Sequence, residues 1–215
     1  MSALTLAKPE TMFLANYLRQ LTQWDDRAAV RVQVRDGVVG FYGGPLNSVI
    51  SLIAIPLAAA TEDIDTTVSA GRLRDIIGDV RVVTGAQNYT LPDECLVPSI
   101  LQLLPPREGW MPPFKTTAGD LVADVDGRIA SIQAQVSLLQ DGRRDDAMRE
   151  QWATLSWSSM PFGMFHVARQ LGFFNLPAAH VGASTNGPWK RINTPAGQVF
   201  SRIADGVARL LPVRD

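Results

Sequence analysis

The stretch "AAVRVQVRDGVVGFYGG", residues 28–44, decides how the rest of the chain is read. Val30, Val32 and Val34 alternate with Arg31, Gln33 and Arg35, the period-two pattern of a strand with one apolar and one polar face. Asp36-Gly37 follows, and both residues tolerate the positive φ that a two-residue hairpin turn requires. Residues 38–42 then read as the return strand, ended by Gly43, Gly44 and Pro45.

Further strands and helices flank this hairpin. Residues 48–58 form a third strand, with Ile50, Leu52 and Ala54 on one face and Val49, Ile53 and Ile55 on the other, so both faces call for cover. Residues 63–68 read as a fourth strand, and residues 80–84 as a fifth. Before the hairpin, Leu14, Tyr17, Leu18 and Leu21 make one helical stripe over residues 10–23. After the fourth strand, Ser69 is placed to cap a helix that turns Leu73, Ile76 and Ile77 inward. Sequential hairpins with flanking helices define an α+β class with an antiparallel sheet.

The composition changes near residue 90. Prolines at 92, 98, 105, 106, 112 and 113 surround an apolar run, residues 97–104, together with Trp110 and Phe114. This reads as a packed connector over residues 91–114, between an α+β sheet domain at 1–90 and a mainly helical segment with a hairpin at 115–215. One continuous domain is the alternative. In the helical segment Leu121, Val125, Ile129, Ile132, Val136 and Leu139 advance by threes and fours. A second helix is expected from Asp145, carrying Met148, Trp152 and Leu155, and a third over residues 162–171, ended by Gly172. In "NGPWKRINTPAGQVFSR", residues 186–202, Asn186-Gly187 reads as a hairpin turn and Thr194-Pro195 as the start of a last helix. That helix would carry Val199, Phe200, Ile203, Val207 and Leu210. No internal repeat is visible along the chain.

The N-terminal half resembles one domain of a bacterial DNA sliding clamp. The resemblance rests on the V-x-V-x-V-x-D-G hairpin, the third strand after a short loop, the polar spacer, and "TTVSAGRLRDII" at residues 66–77. It covers residues 10–84 and implies a sheet backed by helices that would face DNA. A ring would need further copies of this domain, and the helices concerned bring only Arg19, Arg72 and Arg74 to a phosphate backbone. The C-terminal half has the element order of a winged helix, with "MFHVARQLGFF" as recognition helix and "VGASTNGPWKRI" as wing.

Composition limits the function classes. The chain has 215 residues, a hydrophobic share of 46% and a net charge of −1, so no overall field draws it to nucleic acid. A single cysteine, Cys95, excludes an intramolecular disulfide. His166 and His180 are the only histidines, and their spacing is not that of a zinc site. Asp124 with Asp126, and Asp145 with Asp146, are neighbours in sequence, but nothing marks either pair for acid-base work. Gly43-Gly44-Pro45 lacks phosphate-loop spacing. The cluster Trp152, Trp157, Met160, Phe162, Met164 and Phe165 is core or pocket wall.

The expectation is a soluble, cytoplasmic, non-catalytic binding or protein-interaction protein without cofactor or metal and without a membrane partner. Its partner is another protein or a second copy of itself. A DNA-associated protein is the second class, and an enzyme with an unrecognised site the third. Arg72, Arg74, Arg169, Trp189, Lys190 and Arg191 are the candidate contacts to a partner or nucleic acid.

Overall fold

A computed structural model describes residues 2–203 apart from Asn47, Val83 and the Asp141 side chain. Strand β1 (Ala3–Leu6) leads into helix α1 (Lys8–Trp24). Strands β2 (Ala29–Arg35), β3 (Val38–Leu46), β4 (Val49–Pro56) and β5 (Ile64–Ser69) follow, then α2 (Ala70–Ile77) and β6 (Gln87–Thr90). The connector holds the short helix α3 (Ser99–Gln102). The remaining elements are β7 (Phe114–Thr117), α4 (Ala118–Ser137), α5 (Asp141–Ala153), α6 (Phe162–Gln170), β8 (His180–Asn186), β9 (Trp189–Thr194) and β10 (Gly197–Arg202). The class is α+β, with one antiparallel sheet of eight strands in the order β5-β2-β3-β4-β10-β9-β8-β7. β1 and β6 pair separately.

Several expectations need correction. The stretch after Thr194 is not a helix. β10 pairs with β4 (Val199 opposite Ser51, Phe200 opposite Ile50) and with β9 on its other side. Thr194-Pro195 makes a turn: the Thr194 hydroxyl donates to the Gly197 carbonyl at 3.0 Å and accepts from the Ala196 N–H at 3.2 Å. A hydroxyl followed by proline suits a tight turn as well as a helix start. Adjacent apolar residues on a strand covered on both faces then mimic a helical stripe. Val207 and Leu210 lie outside the described residues.

The β8–β9 turn is Gly187-Pro188, with Asn186 paired to Trp189 and Gly187 at φ 52°. Residues 80–82 form a 3₁₀ turn instead of a strand, and β3 runs on through Gly43–Leu46 with an irregular register. α5 begins at Asp141, four residues before Asp145.

A repeat is present after all. The sheet order reads the same from either end once β4 is matched to β10, β3 to β9, β2 to β8 and β5 to β7. Ser69 lies opposite Ala29, and Thr117 opposite His180. The next residue repeats its bond: Ala70 N–H donates to the Ala28 carbonyl, and Ala118 N–H to the Ala179 carbonyl, each at 2.9 Å. Ser69-Ala70-Gly71-Arg72-Leu73 and Thr117-Ala118-Gly119-Asp120-Leu121 are thus equivalent strand-to-helix corners. Each is capped by its hydroxyl, which accepts from the N–H three residues on. The parts come in different chain order: α1-β2-β3-β4 precedes β5-α2, whereas β7-α4 precedes α6-β8-β9-β10. A scan along the sequence for a fixed period cannot register that permutation.

Apart from the short α3, the helices cover one face of the sheet, its inner face, and enclose the main core. Val30, Val32 and Val34 point into it, with Phe41, Ile53, Val199 and the stripes of α1, α4 and α6. Gly43 lets α1 approach: a Cβ there would stand 2.6 Å from the Tyr17 hydroxyl and 2.9 Å from Leu21. The outer face is covered near its centre by the connector. Leu101 is fully buried against Tyr42, Ile50, Trp189 and Phe200. β4 is therefore covered on both faces, as its two apolar sides require. Gly44 admits Ile100, whose methyl would lie 2.5 Å from a Cβ at that position.

The two edges of the sheet differ. On β5, Glu94 forms a bridge to Val68 and the Cys95 N–H donates to the Thr67 carbonyl at 2.8 Å. β7 has β8 on one side and, among the described residues, no backbone strand partner on the other.

Candidate functional site

Alternation along β9 separates the conspicuous Trp189-Lys190-Arg191 triplet. Trp189 and Arg191 face the outer side, while Lys190 shares the inward side with Ile192. The triplet is not a hairpin tip, because β9 lies inside the sheet. Trp189 is buried under the connector. Arg191 lies over Trp110, its guanidinium carbon 4.3 Å from the ring centre, and its Nε donates to Ser184 Oγ at 3.0 Å. Burial pulls the Arg191 pKa down.

Trp110 comes from the connector, which is fixed by several bonds. Its indole N–H donates to the Pro106 carbonyl at 3.0 Å, closing a turn. Asn186 Nδ2 donates to the Glu108 carbonyl at 2.7 Å, and the Met111 N–H to the Thr185 carbonyl at 2.9 Å. Arg31 grips Asp65 with two bonds of 2.7 and 2.9 Å and donates to the Leu101 carbonyl at 2.9 Å. Arg31, from the polar face of β2, thus ties the connector to the sheet.

Beside this strap lies a cleft of about 240 Å³. Arg35, Arg107 and Arg191 line it with Gln33, Tyr42 and Trp110, and Leu52 and Phe200 supply apolar wall. No carboxylate lines it among the described residues. Arg107 donates to Gln33 Oε1 at 3.2 Å. Burial raises the Tyr42 pKa, opposed by the nearby Arg107 and Arg31 charges. Alternation marked Arg31, Gln33 and Arg35 as one polar face; that Arg107, Trp110 and Arg191 join it depends on contacts distant in sequence.

The other candidate contacts lie on the helical side and are not brought together. Arg74 bonds Asp75 at 2.9 Å and the Thr22 hydroxyl at 3.0 Å. Arg169 bonds Asp126 at 2.8 and 3.0 Å, and that guanidinium lowers the Asp126 pKa. Arg72 is exposed on α2. By sequence, α1 and α2 carry four cations and two carboxylates, whereas α4, α5 and α6 carry five and seven. The helical layer is neutral. Helix α6 is buried through Phe162, Met164, Phe165, Val167 and Ala168, and the β8–β9 hairpin belongs to the large sheet. These segments do not make a winged helix. The aromatic and methionine cluster is core, with Trp157 at its margin.

His166 is held between two tryptophans. Its ring stacks on Trp152 at 4.3 Å and meets Trp24 edge-on at 5.2 Å. Its buried Nδ1 has no hydrogen-bond partner among the described residues, and burial lowers its pKa to about 4. Among the described residues no group of three or more His, Cys, Asp or Glu is placed to hold a metal. No described helix is long and apolar enough to cross a membrane.

The strand order, the permuted duplication and the helical lining define a sliding-clamp-like fold. Solved bacterial clamps share it. The DNA polymerase sliding clamp of Caulobacter crescentus superposes with a TM-score of 0.61 at 13% identity, over 99% of this chain and 67% of that one. The DNA polymerase III subunit beta of Pseudomonas aeruginosa gives 0.58 at 12% identity, over 95% of this chain. This chain spans 65% of the length of that subunit. At such identities the likeness is one of fold. In sequence, residues 1–92 match a domain of unknown function (DUF8010), and residues 105–206 match another (DUF8185). No curated protein matches the chain.

Proposed function

We propose that the protein is a non-catalytic clamp-fold scaffold that binds a protein partner at the outer-face cleft. The observation that carries this reading is the cleft itself. Three guanidinium groups and three aromatic rings converge on a surface that the strapped connector holds in shape. Preorganised aromatic and arginine groups are the ones that dominate protein interfaces.

A DNA-associated role is the second reading, and the fold likeness favours it. Affinity for a phosphate backbone grows with the number of cations presented to it. A neutral helical layer, with Arg74 and Arg169 already paired to carboxylates, supplies few. The expected site is therefore on the opposite face from the helices.

Co-purification from the native cell at low salt tests the first reading. A stoichiometric protein partner, released by Trp110→Ala in a chain that still folds, is the expected result. Retention of that partner by the folded variant would remove the cleft from the interface. A mobility-shift titration at low salt tests the second reading, and salt-sensitive retention of duplex DNA would restore it.

A further inference from the structure

We propose that the outer-face cleft recognises an acidic peptide segment, seating a carboxylate side chain among Arg35, Arg107 and Arg191 and an adjoining apolar side chain on Leu52 and Phe200. This rests on the reading that the cleft is the partner site, and it names the chemistry of that partner.

The charge of the cleft is the first argument. Its lining holds three guanidinium groups and, among the described residues, no carboxylate. Asp65, on the same sheet face, is held by Arg31 and by Gln33 Nε2 at 2.9 Å. Arg191 spends its Nε on a neutral hydroxyl and its flat face on Trp110, and Arg107 donates to the neutral side-chain carbonyl of Gln33. Arg191 is partly buried and Arg107 exposed. Both donate to neutral acceptors, so their charge is unmatched, and an arriving carboxylate adds the ion pairing and two-pronged geometry that a hydroxyl or amide oxygen cannot supply.

Shape is the second argument. At about 240 Å³ the cleft falls below the ~300 Å³ at which pockets for whole drug-sized ligands begin. It suits one or two side chains of a segment passing over it. The strands beneath are interior strands whose backbone groups are already paired, so a visiting segment is read through its side chains. Leu52 and Phe200 beside the guanidinium groups fit a segment in which acidic and apolar residues adjoin, and arginine clusters are a recurrent reader of acidic motifs.

Calorimetric titration of the full chain with blocked tetrapeptides tests this. Acetyl-Asp-Leu-Asp-Leu-amide should bind, the Asn-Leu-Asn-Leu counterpart at least about tenfold more weakly, and the acidic peptide should weaken with added salt. Arg191→Gln and Arg107→Gln should each lower affinity about tenfold or more, while Arg81→Gln, on the far side of the sheet, should not. Arg107 stands on the connector, so its variant keeps the test alive if Arg191→Gln does not fold. Equal binding of the two peptides, indifference to both substitutions, or inorganic phosphate binding as tightly as the peptide would overturn the proposal. Loss of the cellular partner by Trp110→Ala without peptide discrimination would sink this chemistry and keep the partner site. Peptide discrimination with the partner retained would do the reverse.

Discussion

His166 lies flat against Trp152, ring centres 4.3 Å apart and planes within 5° of parallel. With Trp24 at its edge, the imidazole joins the end of α1 to α5 and α6, and so ties the two halves together on the helical side. Burial favours its neutral form and sets its pKa at about 4, below the ordinary 6.5. The unfolded chain therefore takes up this proton before the folded chain does. Stability from this residue is intact above about pH 6.5 and is lost as pH falls toward 4, by at most about 3 kcal/mol. Thermal unfolding across that range should show a falling midpoint, and His166→Phe should flatten the dependence.

The α1 contact at Gly43 has no spare room. Gly43→Ala forces a methyl against the Tyr17 hydroxyl and Leu21, and should cost about 1–3 kcal/mol in a denaturant titration. Tyr17 also shares a buried bond of 2.8 Å with Ser51, whose hydroxyl reaches the Gly43 carbonyl at 3.3 Å. Tyr17→Phe leaves that carbonyl served and should cost only about 1 kcal/mol.

The joint between the halves is the β4–β10 ladder. Gln198→Pro places a ring that cannot donate a backbone hydrogen bond opposite Leu52, in a strand paired on both sides. It should cost about 3 kcal/mol or more, read as loss of cooperative unfolding near neutral pH.

The connector can be loosened without opening the core. Arg31→Ala removes both the Asp65 pair and the bond to the Leu101 carbonyl. Global stability should fall by about 1 kcal/mol, because the pair is partly exposed. Limited proteolysis should quicken much more, with cuts near Leu96 and Leu103, which are 93% and 52% exposed.

The N-terminal sheet was legible because its strands each declare a face. Val30, Val32 and Val34 alternate cleanly with polar residues, and Asp36-Gly37, at φ 50° and 74°, makes the turn its composition promised. The same rule failed at β10, where Val199 serves one core and Phe200 the other, so that covered faces erase alternation. The duplication escaped because permutation changes the order of its parts and leaves only a five-residue corner alike. Of the cleft, Arg191 was marked by its neighbours in sequence and Arg35 by its strand. Trp110 and Arg107 come from a proline-rich stretch whose only local signal is that it is apolar enough to lie against something.

The unequal sheet edges set a limit on growth. Strand addition can continue indefinitely only when both margins of a sheet are free, since each newcomer must present a margin to the next. Here the β5 margin of the large sheet is bridged at Thr67–Val68 by the chain's own Glu94–Cys95, and β7, at the other margin, has no backbone strand partner on its outer side among the described residues. Two copies that met β7 to β7 would use up both open margins at once. Association through β7 alone would therefore join two copies and no more, whereas a circle of copies joined edge to edge would also need the β5 margin, where Glu94–Cys95 now lies.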